Sequence, residues 1–285
     1  MAKEFQARKR VGAALAVMIL LGGCSAPGDA PLVPPTAEQG TASTADTGAP
    51  EAIAAALDVM AGDRRDDFSV ALQDNRTGKS WIENPDGRYL EASLVKVPIL
   101  LTLVRQATEE QRSFTAKEEY LATLMIEYSD NEATTELYGR LGGREELNRT
   151  YELIGVEDTE AGEVWGAGET TAGDQLRIAR TVACGADWLD PDLLAFAVGL
   201  MENVCPEQNW GINAGVQAPD AEVALKNGWL QDDDAVWNVG SAGFVRTGGS
   251  DYSIVVLSSR NSTLEEGIGI VEGVASVING YEAGA

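Results

Sequence analysis

The chain has 285 residues, with 45 acidic against 21 basic side chains, a formal net charge of −24 and no histidine. So large an acidic excess repels nucleic acid and anionic lipid surfaces. The missing imidazole excludes Ser-His-Asp and Cys-His catalysis and any His-ligated metal, so a nucleophile in this chain needs another kind of base.

Lys3, Arg8, Lys9 and Arg10 stand against the single acid Glu4 at the start, and an apolar run follows from Val11 to Leu21. That run is too short for a membrane span and predicts a secretory signal over residues 1–23. Its end, Leu21-Gly22-Gly23-Cys24, is similar to the lipobox of bacterial lipoproteins. The similarity implies lipidation at Cys24 and an exported protein anchored to the outside of the bacterial cell membrane, with an ordinary cleaved signal as the alternative. Residues 24–50 are rich in Ala, Pro, Thr, Gly and Asp, cannot bury a core, and predict a flexible tether. The remaining stretch, 51–285, is long enough for one domain with a sizeable core.

Within that domain the pattern predicts a helix over Glu51–Met60, then strands at Phe68–Gln73 and Ser80–Asn84 joined by the turn Asn75-Arg76-Thr77-Gly78. A helix opens at Ser93 and is apolar nearly all round, as a helix at the centre of a domain must be. Pro98 is tolerated there because it falls in the opening turns. Further helices are predicted at Ala116–Ile126, Asn131–Leu141, Glu145–Leu153, Gly173–Ala183 and Pro191–Val204. Strands return at Glu222–Asn227, Val236–Val245 and Tyr252–Ser258, and a last helix covers Leu264–Ile278. Strands at both ends around a helical middle predict an α/β (α+β) fold: an antiparallel five-stranded sheet flanked by the terminal helices, with an inserted all-helical lobe.

Three polar elements interrupt this apolar framework. Ser93-Leu94-Val95-Lys96 opens the apolar helix, and a lysine in such surroundings must be paired or have its pKa lowered by desolvation. Tyr128-Ser129-Asp130-Asn131 lies between two helices, and Lys226-Asn227-Gly228-Trp229 closes a predicted strand. Taken singly, Ser129 and Asn131 read equally well as helix N-caps and Lys226 as a strand-edge charge. Cys184 and Cys205 each end a predicted helix, and an exported compartment permits them to pair, two free thiols being the alternative.

The order Ser-x-x-Lys, Ser-Asp-Asn, Lys-x-Gly resembles the motif set of the class A β-lactamase and penicillin-binding protein superfamily. The resemblance extends over most of 51–285 and includes the Gly211-Ile212 and Ala214-Gly215 pairs ahead of the third motif. It implies that Ser93 is an acylated nucleophile, Lys96 its base or electrostatic activator, Ser129 a proton relay, and Lys226 the group that holds the relay and attracts the substrate carboxylate. It further implies that Asn131, Asn227, Gly228 and Trp229 bind substrate, with the backbone N–H groups of Ser93 and Trp229 as the oxyanion hole. Asp130 reads as structural. The implied substrate is a β-lactam or a peptidoglycan-type D-amino-acid peptide or ester. No cofactor or metal is implied, no nucleic-acid partner, and a monomer is the default.

The chain departs from that family in four ways. Thr170-Thr171 is present, but the segment Val156–Glu169 is short and lacks the Glu-x-x-x-Asn pattern whose glutamate, in that family, activates the deacylating water; Glu160, Glu163 and Glu169 are present, and none can be assigned that role. Acylation without efficient β-lactam hydrolysis is therefore expected. The interval from Ser93 to Ser129 is short, which opens the site and suits a larger, polymeric substrate. Asn227 replaces a hydroxyl residue, and Ala242 stands where many relatives place a carboxylate-binding arginine, with no ground for taking Arg246 as its substitute. The altered third motif and the absent general base leave open a second reading, a wall-binding lipoprotein on the same fold that is weakly catalytic or not catalytic at all; an esterase on the same scaffold is a third.

Overall fold

The structure is a computed structural model that describes residues 49–284; the expected signal, Cys24 and nearly all of the expected tether lie outside these residues. The elements run α1 (Glu51–Ala61), β1 (Phe68–Asp74), β2 (Ser80–Glu83), β3 (Tyr89–Leu90), a 3₁₀ turn (Ala92–Val95), α2 (Lys96–Glu109), α3 (Ala116–Glu127), α4 (Asn131–Arg140) and α5 (Gly143–Ile154). They continue with β4 (Glu169–Thr170), α6 (Ala172–Cys184), α7 (Pro191–Glu202), β5 (Glu222–Gln231), β6 (Trp237–Arg246), β7 (Asp251–Asn261) and α8 (Leu264–Glu282). Among the described residues the sheet has five antiparallel strands in the order β2-β1-β7-β6-β5, and β3 and β4 form a separate small ladder.

Strand alternation sorts β1 between two layers. Phe68, Val70 and Leu72 pack with Ile53 and Leu57 of α1 and with Val271, Val274 and Ile278 of α8. Ala71 faces the other way, into a cluster with Leu176 and Ala179 of α6. The sheet is therefore covered on both sides, which is why Ile254-Val255-Val256-Leu257 of β7 is continuously apolar and wholly buried.

Helix α2 forms the axis of the helical lobe, and the side chains from Lys96 to Arg105 are all buried. The buried Arg105 guanidinium donates to Glu109, Glu146 and Thr150 and so ties α2 to α5. Neighbouring helices begin where local chemistry favours it: Thr115 and Glu118 form a reciprocal capping box on α3, Thr171 caps α6, and Asp190 caps α7 ahead of Pro191.

All five predicted strands and every predicted helix are present. The chief difference is at Lys226-Asn227-Gly228-Trp229, which lies in the middle of β5 rather than at its end. Asn-Gly ordinarily marks a turn; here the glycine is needed for a close approach described below. The predicted pairing of Cys184 with Cys205 is not formed, and both are free thiols. Cys205 is held at the end of α3 by its N–H bond to the Glu127 carbonyl (3.0 Å), whereas Cys184 ends α6 beside Arg180 and Arg246.

Candidate active site

The Ser93 turn is fixed from two sides. On one, the N–H groups of Glu91 and Ala92 donate to the carbonyls of Gly168 (2.8 Å) and Gly166 (3.0 Å). Gly166 has φ +77°, and a Cβ there would lie 2.8 Å from the Ala92 carbonyl oxygen, so this contact requires glycine. On the other side is β5: a Cβ on Gly228 would lie 2.9 Å from the Leu94 nitrogen and 3.0 Å from the Ser93 nitrogen. The strand thus brings its backbone directly against the nucleophile turn. Ala92 is held at φ 49°, a left-handed conformation unfavourable for alanine, immediately before Ser93. The Ser93 hydroxyl makes no hydrogen bond with any described residue and is half-buried.

The 3₁₀ turn passes directly into α2, which places Lys96 at the first position of that helix with its side chain buried. Its Nζ donates to the Ser129 carbonyl (2.7 Å), the Ser129 hydroxyl (3.0 Å) and the Asn131 side-chain oxygen (2.8 Å). Ser129 presents both oxygens to the lysine because it sits at φ 56° between α3 and α4. Asp130, and neither Ser129 nor Asn131, caps α4 by accepting from the Ala133 N–H (2.7 Å).

Lys226 reaches the same hydroxyl from β5: its Nζ donates to Ser129 Oγ (3.0 Å) and to the Asn227 carbonyl (3.0 Å). Two buried lysines therefore share one serine oxygen. Burial lowers the pKa of Lys96 to about 8, with the Asp130 charge pulling the other way. Lys226 is driven well below the usual lysine value, first by burial and then by repulsion from Lys96. Burial thus weakens the hold of both ammonium groups on their protons, and both nitrogens lie within hydrogen-bonding distance of the Ser129 hydroxyl.

Two features escaped the sequence reading. The Trp165 ring lies over the Lys96 ammonium, 5.2 Å from Nζ to its centroid, and its indole N–H donates to Thr135 (3.0 Å). Glu91, two residues before Ser93, is buried, accepts from the Tyr151 hydroxyl (2.8 Å) and has its pKa pushed by burial up to about 8. Nothing in the order of residues distinguishes Trp165 from a core aromatic; the only signal is its position within the glycine-rich stretch 162–168.

Of the site residues expected from sequence, Ser93, Lys96, Ser129, Asn131, Lys226 and Gly228 converge here. Asn227 does not present its amide to the site: it is fully buried, and its Nδ2 donates to the carbonyls of Gln208 (2.7 Å) and Trp210 (3.0 Å). Trp229 turns its ring toward Trp210, with centroids 5.9 Å apart. Glu160, Glu163 and Glu169 are exposed, and Glu163 pairs with Arg144.

The sheet, the helical lobe and a serine held between two lysines define a serine β-lactamase-like protein. A family profile described as "Beta-lactamase enzyme family" matches residues 115–281, and the chain belongs to that family. The match includes Ser129 and Lys226 and begins after Ser93 and Lys96. Among solved structures, a class A β-lactamase from Bacteroides cellulosilyticus superposes with a TM-score of 0.72 at 14% identity, covering 82% of this chain and 98% of that one. PBP-A does so with 0.71 at 20% identity, covering 84% and 98%. A β-lactamase from Chitinophaga pinensis gives 0.70 at 18% identity, covering 80% and 98%. At these identities the likenesses establish the fold. No curated protein sequence matches the chain significantly.

Proposed function

We propose that the protein is an exported, lipid-anchored serine hydrolase that forms an acyl-enzyme at Ser93 and releases the acyl group slowly. The observation that carries this reading is the Ser129 hydroxyl, shared by the Nζ groups of Lys96 and Lys226 at 3.0 Å each. Two desolvated lysines at one serine cost folding energy, and catalysis is the reason to keep them. In acylation Ser93 Oγ attacks the substrate carbonyl carbon as its proton passes to a neutral Lys96. The oxyanion is received by the N–H groups of Ser93 and Trp229, which the close packing of Gly228 on the turn brings together. Ser129 then delivers a proton to the departing atom and is replenished through the lysine pair.

Slow release follows from what covers Lys96. An indole, not a carboxylate, lies against that ammonium, and the four glutamates of the 156–169 segment (Glu157, Glu160, Glu163 and Glu169) are exposed. A variant of PBP-A has been captured as an acyl-enzyme complex with penicillin G, and it shares this fold at 21% identity. Export and anchoring rest on the basic, apolar, small-residue order that ends at Cys24.

The test is intact-mass spectrometry of residues 51–285 and of the full chain after incubation with penicillin and with an activated D-alanyl thioester, each beside Ser93→Ala. A stable adduct absent from the variant is expected. No adduct from either reagent would overturn the reading and favour a wall-binding lipoprotein.

A further inference from the structure

One buried acid beside the nucleophile turn has no part in the acylation chemistry. Glu91 stands two residues before Ser93, and its main chain belongs to the turn: its N–H donates to the Gly168 carbonyl (2.8 Å) and its own carbonyl accepts from the Leu94 N–H (3.1 Å). Its side chain reaches two helices of the lobe. Oε1 accepts from the Tyr151 hydroxyl of α5 (2.8 Å) and, at the longer distance of 3.4 Å, from Gln175 Nε2 of α6.

Gln175 carries the connection onward. The same Nε2 donates to Thr170 Oγ1 (3.0 Å), and the Thr170 and Thr159 hydroxyls are bonded to each other (2.9 Å). Thr159 donates in turn to Asp174 (2.8 Å), whose carboxylate also accepts from the N–H groups of Glu157 (3.0 Å) and Asp158 (2.9 Å). This network therefore clamps the segment 156–169 at both ends. Its middle is held by the Ser93 turn itself, through the Gly166 and Gly168 carbonyls, and Trp165 adjoins Gly166. An outward shift of 166–168 carries the indole away from Lys96.

Glu91 has no counter-ion in this network. The titratable groups acting on it are Tyr151 of α5, Tyr138 of α4 and Asp174 of α6; none is a cation, and the Asp174 charge opposes its ionisation. Asp174 is itself paired with Arg177. Burial pushes the Glu91 pKa up to about 8, so the carboxyl is mostly protonated at neutral pH and ionises in mild alkali. A charge formed there gains by reaching water. The stretch 166–168, bonded to the Glu91 and Ala92 N–H groups and exposed at Ala167, is a part of its surroundings that borders solvent.

We propose that Glu91 is a positioning residue for the Ser93 acyl-enzyme: protonated, it holds the 156–169 segment and Trp165 against the Ser93 turn, and on losing its proton it releases them and admits water. The inference rests on the acyl-enzyme reading above and adds a regulation of the same site. In the step affected, a water oxygen bonds to the acyl carbon, the bond from that carbon to Ser93 Oγ breaks, and a proton from the water ends on Oγ.

Wild type and Glu91→Gln, each acylated with penicillin at pH 6.5 and freed of excess reagent, are shifted to buffers from pH 6.5 to 9.5 and followed by intact mass. Glutamine keeps the neutral form throughout. Lys96 also loses its proton near pH 8 in both chains, so the difference between them carries the test. Across that interval adduct loss is expected to accelerate at least tenfold more in wild type than in the variant. Coincident pH profiles overturn the proposal and leave the acyl-enzyme reading intact. No adduct on wild type at any pH overturns that reading, and the proposal with it. If the variant does not fold, hydrogen exchange on wild type decides: peptides covering 89–95, corrected for the intrinsic effect of pH on exchange, are expected to lose protection at least tenfold while α8 keeps its own. Unchanged protection overturns the proposal.

Discussion

Replacing Lys96 with methionine exposes the energetic cost of burying its charge. The side chain is fully buried, and its pKa falls from 10.5 to about 8, mainly through desolvation. Above pH 10.5 the lysine is neutral in both folded and unfolded chains and carries no penalty. Between pH 10.5 and 8 the unfolded chain binds a proton that the folded one does not, so each unit of falling pH lowers the relative stability of the fold by ~1.4 kcal/mol. Below pH 8 both states are protonated, and the full penalty, about 3 kcal/mol over the ~2.5-unit span, persists. The thioether that replaces the amine in the variant titrates nowhere. Loss of repulsion on Lys226 raises that second pKa in the variant, which adds to the effect. The absolute gain at pH 7 is smaller, because the variant also loses three hydrogen bonds to Ser129 and Asn131. The diagnostic is therefore the pH dependence of the difference: urea unfolding of wild type and Lys96→Met, read by tryptophan fluorescence from pH 7 to 10.5. Wild type is expected to lose about 3 kcal/mol relative to the variant on going from pH 10.5 to 8. A difference that stays flat across that interval would refute the argument that burial dominates this lysine.

Three other measurements bear on the site. Glu91 is an acid whose folded pKa is raised to about 8, so it weakens the fold progressively as pH rises from 4.5 to 8; Glu91→Gln should flatten that decline, by up to ~5 kcal/mol as an upper bound, and an unchanged pH profile would contradict it. Trp165→Ala uncovers Lys96 to water and should shorten the lifetime of the Ser93 adduct at least tenfold with acylation little changed, as measured by intact mass against time; an unaltered lifetime would remove the indole from the account of slow release. Gly228→Ala forces a methyl within 3.0 Å of the Ser93 nitrogen, and it should abolish acylation while costing about 1–3 kcal/mol of stability by overpacking; normal acylation would mean that β5 does not set the oxyanion hole.

The fold was legible in the sequence because its signals are local. Thr115 with Glu118, Thr171, and Asp190 with Pro191 start helices by chemistry within one turn, and the period-two alternation of Phe68, Val70 and Leu72 identifies a strand without reference to its partners. The order of Ser93, Lys96, Ser129 and Lys226 pointed to the cluster only through its resemblance to the superfamily's motif set, since singly Ser129 reads as a helix N-cap and Lys226 as a strand-edge charge. The end of β5 was misread for the converse reason: Asn227-Gly228 looks like a turn locally, and only the approach of Ser93 and Leu94 explains a glycine there.

The sequence by itself determined the elements, the absence of imidazole chemistry and which polar residues interrupt the core. Tertiary structure decided the rest. Which atoms Lys96 faces, that Ser129 bridges two lysines, that Trp165 covers one of them, and that Asn227 spends its amide on the 208–210 backbone all depend on loops brought together from positions 33 to 97 residues apart for the lysine–serine contacts alone. Capping and alternation act over one turn or one pleat and leave a trace in neighbouring letters. Desolvation and hydrogen-bond commitment depend on everything packed around a group, and they exist only once the chain has folded.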